Sequence, residues 1–71
     1  MKYRFYYIKN NIMKYFKDIY CYDLKTAKEE FKKFIKSHYN KDDNIIVKRI
    51  EKIDENKNFE VVVEDVFENW L

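Results

Sequence analysis

Residues 23–38 read Asp-Leu-Lys-Thr-Ala-Lys-Glu-Glu-Phe-Lys-Lys-Phe-Ile-Lys-Ser-His. Leu24, Ala27, Phe31, Phe34, Ile35 and His38 fall at i, i+3, i+7, i+10, i+11 and i+14, one apolar stripe at helical period. Asp23 is a good N-cap, and Glu29-Glu30 follow within two turns. Lys25, Lys28, Lys32 and Lys36 take the opposite face. Glu29 can pair with Lys33 at i+4. The pattern predicts a helix that ends near 37–40, with small Ala27 allowing the helix start to approach its neighbour closely. A polar loop, Lys41-Asp42-Asp43-Asn44, follows.

Everything on either side of this helix reads as strand. From Lys2 to Lys9, Tyr3, Phe5 and Tyr7 alternate with Lys2, Arg4 and Tyr6. Asn10-Asn11 then marks a tight turn, and Met13 to Tyr22 forms the second strand of a hairpin. Ile45 to Asp54 and Phe59 to Val66 make a second hairpin across Glu55-Asn56-Lys57-Asn58. With a four-residue loop, Ile46 and Ile50 are expected on the face of Val61 and Val63. The tail from Phe67 to Leu71 is apolar enough to dock. The expected fold class is α+β: one domain over residues 1–71, a four-stranded antiparallel sheet with one helix on one face, in the order β-β-α-β-β.

The chain has 71 residues, no Gly, no Pro and 14 aromatic side chains. Phosphate-cradling loops need Gly where backbone approaches the ligand, so Walker loops, dinucleotide fingerprints and nucleophile elbows are excluded. A domain this small buries only roughly 60% of its unfolded surface and usually needs a staple. Cys21 has no second Cys to bond, and one Cys with one His, His38, is not a zinc site. Aromatic bulk stands in for the staple, at roughly 150–250 Å² buried per ring.

The net charge is +2, but residues 1–41 carry +7 and residues 42–71 carry −5. Charge of this kind often only solvates a surface. No segment has the roughly 18 apolar residues of a membrane span. The start, Met1 to Ile12, lacks a small-residue cleavage site. With a lone thiol, the expectation is a cytoplasmic protein without a membrane partner. The Lys, Asn, Ile and Tyr bias resembles translation from an AT-rich genome.

No catalytic constellation emerges. Cys21 lies mid-strand in an apolar context, where free Cys is usually a small core residue. His38 suits a helix C-terminus. Asp42-Asp43 and Asp54-Glu55 read as turn formers. No enzyme activity, metal or cofactor is expected. One helix covers one sheet face, and the other face carries Tyr6, Ile8, Tyr20 and Tyr22 once Ile19 and Cys21 are assigned to the helix side. Tyr offers large contact area with two torsions to freeze, so this face suits a partner. The plainer alternative is that these rings fill out a Leu-poor core with their hydroxyls in water. The candidate partner-binding residues are Lys25, Lys28, Lys32, Lys36, Tyr6, Tyr20 and Tyr22.

The element order, together with Tyr7-Ile8-Lys9, the helix start Asp23-Leu24-Lys25-Thr26-Ala27-Lys28 and the third strand Val47-Lys48-Arg49-Ile50-Glu51-Lys52-Ile53-Asp54, resembles small phage-encoded anti-CRISPR proteins, notably a type I-F inhibitor. These segments cover about a quarter of the chain. The chain departs from that family in its aromatic content and its acidic C-terminal hairpin. The resemblance implies a non-enzymatic inhibitor of host defence in the bacterial cytoplasm, one that binds a CRISPR-Cas-type immune complex and blocks or alters its nucleic-acid handling.

Two alternatives stand beside it. In one, the helix lysines act with Lys2, Arg4, Lys9, Lys14 and Lys17 to track phosphates while open-sheet aromatics stack bases. In the other, the chain is a homo-oligomeric structural module, a homodimer in its simplest form. Locally, Glu51, Glu60, Glu64, Asp65 and Glu68 could also imitate the phosphates of a nucleic acid.

Overall fold

A computed structural model describes residues 1–54, 56 and 58–64. Strand β1 spans Lys2–Lys9, β2 Met13–Tyr20, helix α1 Leu24–His38, β3 Ile45–Ile53 and β4 Phe59–Glu64. The fold is α+β, with the four strands in one antiparallel sheet ordered β2-β1-β3-β4. Strands β2 and β3 both run antiparallel to β1, so they are parallel to one another with β1 between them. Helix α1 is the connection that carries the chain across β1.

The first hairpin turns where a Gly-free chain can turn. Asn10 and Asn11 have φ of 53° and 60°, the left-handed region that Asn tolerates best after Gly. The Ile12 N–H closes the turn on the Lys9 carbonyl at 3.1 Å. Asn10 also ties this turn to the loop before β3. Its side chain donates to Asp43 Oδ1 at 3.1 Å and accepts from the Asn44 N–H at 2.7 Å, while its N–H donates to the Asn44 carbonyl at 2.8 Å. Asp43 in turn accepts from the Asn40 N–H at 3.0 Å. The bonds from Asn10 and Asn40 hold the Asp43 carboxyl below the usual range.

Strand β2 is two residues shorter than the pattern predicts. The chain leaves the sheet at Cys21-Tyr22 so that Asp23, with extended backbone, can cap the helix by accepting from the Thr26 N–H at 2.7 Å. That bond also lowers the Asp23 carboxyl's pKa. At the other end, Tyr39 donates its N–H to the Ile35 carbonyl at 2.9 Å. His38 closes the apolar stripe in sequence but is exposed; its ring lies 4.2 Å from that of Phe34, and its Nδ1 is 3.2 Å from the Phe34 carbonyl.

The core lies between α1 and one sheet face. Tyr3, Phe5 and Tyr7 from β1, Ala27, Phe31 and Ile35 from α1, and Ile45, Val47 and Ile50 from β3 are all buried. Fully burying an Ile or Phe stabilises by about 1.5–3 kcal/mol relative to exposure. Ile19, Cys21 and Leu24 pack at the margin, which places Ile19 and Cys21 on the helix side.

The parity of β3 differs from the expectation. Tyr6 is opposite Arg49 but Tyr7 is opposite Val47, so Lys48 is an extra residue in a β-bulge. Ile45, Val47 and Ile50 therefore face the helix, and Ile46 turns to the other face opposite Ile8. Ile46 and Ile50 do not share a face. A second register shift lies between Ile50 and Glu51 in the pairing with β4. In the turn beyond β3, Asp54 Oδ1 accepts from the Asn56 and Asn58 N–H groups at 2.9 and 3.0 Å. The expectations for Val66 and for the tail from Phe67 to Leu71 fall outside the described residues.

Candidate functional site: the sheet face away from the helix

Period two and the observed register together define the uncovered face. Its rows across β2, β1 and β3 are Lys14–Ile8–Ile46, Phe16–Tyr6–Arg49, Asp18–Arg4–Glu51 and Tyr20–Lys2–Ile53. Aromatic and charged side chains are interleaved here, and most of the charges are already matched.

Arg4 grips Asp18 with two parallel bonds, Nε to Oδ1 at 2.8 Å and Nη2 to Oδ2 at 3.1 Å. The Arg4 guanidinium also lies 4.4 Å from the centre of the Phe16 ring. Lys2 Nζ approaches Asp18 Oδ2 at 3.6 Å. The Arg4 bond holds the Asp18 carboxyl below the usual carboxylate range, and the same bond raises the guanidinium's pKa further. One row further along, the Tyr6 hydroxyl donates to Glu51 Oε1 at 2.9 Å, and Arg49 Nη2 pairs with Glu51 Oε2 at 2.8 Å. Glu51 is only 7% exposed. It is committed inside the molecule and does not serve as one of the exposed acids of the sequence reading. Glu60 is exposed, whereas the side chains of Glu64, Asp65 and Glu68 lie outside the described residues.

Among the described residues, most of the exposed apolar side chains lie on or beside the first hairpin. Ile12, Met13, Tyr15, Phe16, Tyr20 and Tyr22 are all exposed, Phe16 at 56%, Tyr20 at 75% and Tyr22 at 96%. A groove of about 280 Å³ is lined by Tyr6, Tyr7, Ile8, Lys14, Tyr15 and Lys48. Its lining is three tyrosines, two lysines and one isoleucine, a mixture of ring faces, hydroxyls and ammonium groups. Among the described residues, no three of His, Cys, Asp and Glu come together as metal ligands, and no helix is long and apolar enough to cross a membrane.

The structure separates the candidate binding residues into two layers. Tyr6 and Tyr20 lie on the uncovered sheet face, Tyr6 half-buried and bonded to Glu51. Tyr22 stands past the end of β2, beside the helix start. Lys25, Lys32 and Lys36 are exposed and Lys28 half-buried, all on α1, on the other side of the sheet. Lys33 pairs with Glu30 at 3.4 Å, an i,i+3 contact. The lysines and the tyrosines therefore do not form one continuous patch. The sequence reading did not single out Phe16 and Asp18, and it took Arg4 as a phosphate contact; the i,i+2 spacing of Phe16 and Asp18 along β2 and the facing position of Arg4 on β1 carry the signal once the register is known.

No family model, no curated protein and no solved structure matches this chain, so the site is read from its own geometry.

Proposed function

We propose that the chain is a non-enzymatic interaction module that docks on another protein through the exposed aromatic hairpin β1–β2. The observation that carries this reading is the set of exposed rings, Phe16, Tyr20 and Tyr22, beside cations whose charge is balanced within the molecule. A phosphate track would leave its arginines open; here Arg4 is held by Asp18 and Arg49 by Glu51. Rings with low torsional cost surrounded by matched charge are the composition of a protein-binding surface.

The resemblance to small anti-CRISPR proteins supports a specific partner class, a bacterial CRISPR-Cas-type immune complex in the host cytoplasm. Inhibition would work by occupancy and would need no active site. The test is phage plating on a host with an active type I-F system, with and without the protein. Plating is expected to recover when the protein is made, and to be lost again with Phe16→Ser plus Tyr20→Ser in a folded variant. No recovery with the unaltered chain would reject the assignment.

A second reading rests on the helix lysines. Lys25, Lys32 and Lys36 are exposed on one element, with Lys28 beside them. Direct nucleic-acid binding through them requires affinity for bare DNA or RNA that falls steeply with salt. Charge reversal at Lys28, Lys32 and Lys36 would abolish that binding. Such reversal leaves docking by the sheet face intact, so the two readings separate cleanly.

A further inference from the structure

Strand β2 is an edge of the sheet: among the described residues it pairs with β1 alone. The Cys21 N–H bonds the Met1 carbonyl at 3.2 Å, and the β1–β2 register pairs Lys2 with Tyr20 through to Lys9 with Met13. In an antiparallel ladder, bonded and non-bonded pairs alternate. The odd-numbered residues of β2 thus bond to β1, and Lys14, Phe16, Asp18 and Tyr20 point their N–H and C=O groups outward. Such an edge is a template for another strand unless it is blunted.

We propose that a second copy of this chain occupies that edge, β2 against β2 antiparallel about a two-fold axis, with Phe16 opposite its own counterpart. Charge selects both the occupant and the register. With Phe16 facing Phe16, Lys14 faces Asp18 of the other copy, twice by symmetry. Tyr15 faces Lys17, Met13 faces Ile19 and Ile12 faces Tyr20. Every cross-strand pair is then aromatic, apolar, cation on ring, or opposite in charge, the combinations that stabilise antiparallel pairs. Registers centred on Lys14, Lys17 or Asp18 each set a like-charged pair face to face, which is destabilising, and registers centred on Tyr15 or Ile19 form no opposite-charge pair. The outward backbone groups are those of even-numbered residues, so the Phe16-centred register also forms full ladder bonds at 14–18, 16–16 and 18–14.

The product is one continuous eight-stranded sheet. A two-fold axis normal to the sheet keeps both helices on one side and merges the two uncovered faces. Exposed Ile12, Met13 and Tyr20 meet apolar or aromatic partners across the new seam. This inference does not depend on the proposed function, since it uses the strand edge and needs no immune complex.

Sedimentation equilibrium of the purified chain, from micromolar to submillimolar concentration, is expected to show a monomer–dimer equilibrium. Phe16→Pro removes the outward N–H together with the ring at the centre of the seam, and leaves the β1–β2 bonds in place. It should weaken self-association at least about tenfold, from the loss of two symmetry-related bonds. Should that variant fold poorly, cysteine pairing provides a separate readout. In a Cys21→Ser background, Phe16→Cys should form an intermolecular disulfide on mild oxidation, because bonded antiparallel pairs sit about 5.5 Å apart at Cα, within disulfide reach. Tyr20→Cys in the same background should not, since residue 20 faces residue 12. A strict monomer at the highest concentration overturns the proposal, as does equal cross-linking at positions 16 and 20.

Discussion

Phe5 of β1 and Phe31 of α1 stack face to face, ring centres 4.4 Å apart and planes 6° from parallel. Both are fully buried, and Tyr7 meets the Phe31 ring edge-on at 5.4 Å. This stack joins α1 to the inner strand β1. Phe31→Ala is expected to cost about 3–5 kcal/mol by lost burial and cavity formation. A domain of this length has only about 4–10 kcal/mol in all, so the variant should be close to unfolding at room temperature. Urea denaturation followed by circular dichroism checks it; a loss below 1 kcal/mol would contradict the stack's role.

Asn10 and Asn11 share a positive φ but differ in their bonds. Asn11→Gly keeps the required backbone, and its stability should change by less than about 0.5 kcal/mol. Asn10→Gly also keeps the backbone but deletes the side-chain bonds to Asp43 and Asn44. At about 0.5–1.5 kcal/mol per bond, it should cost about 1–3 kcal/mol. Equal effects in a denaturant titration would mean that the tie between turn and loop contributes nothing.

Acid should weaken the fold in a defined window. The carboxyl pKa values of Asp18, Asp23 and Asp43 are all lowered, the first by its bond from Arg4. A lowered carboxyl contributes stability that is fully present above its unfolded value, about 3.9. The contribution is lost as pH falls through the lower, folded value. The thermal midpoint should therefore be flat from neutrality to about pH 5 and fall below about pH 4. Asp18→Asn should lower the midpoint at pH 7 and flatten the fall in acid.

Alkali acts on Tyr7. Burial, followed by its 2.8 Å hydrogen bond with Tyr39, raises the phenol's pKa well above the ordinary value. The folded state holds this proton more tightly than the unfolded one. The contribution is thus complete below the unfolded value of about 10 and is lost as pH rises toward the folded one. Tyr7→Phe removes that ionisation, so alkaline unfolding should move to higher pH. Tyr3, also raised chiefly by burial, sets the remaining limit. An unchanged alkaline midpoint in Tyr7→Phe would rule out this assignment.

The local features of the fold were legible in the sequence. Asp23 announced the cap, the spacing from Leu24 to Ile35 announced the buried stripe, and Asn10-Asn11 announced the turn. The strand parity beyond Val47 was not, because one inserted residue at Lys48 reverses a period-two pattern without changing its composition. The place of β1 at the centre was not legible either, since strand order is decided by long-range pairing. For the same reason, the site was only half legible. Tyr20 and Tyr6 could be put on the uncovered face by alternation. The capture of Arg4 by Asp18, the burial of Glu51, and the separation of the helix lysines from the tyrosines all require the register.

The central position of β1 also bears on synthesis. Strand β1 pairs with β3, and the chain between them includes β2 and all of α1. At about 5–20 residues per second, β1 is made seconds before β3. During that interval the nascent hairpin can satisfy only one edge of β1, and Tyr3, Phe5 and Tyr7 wait for a cover.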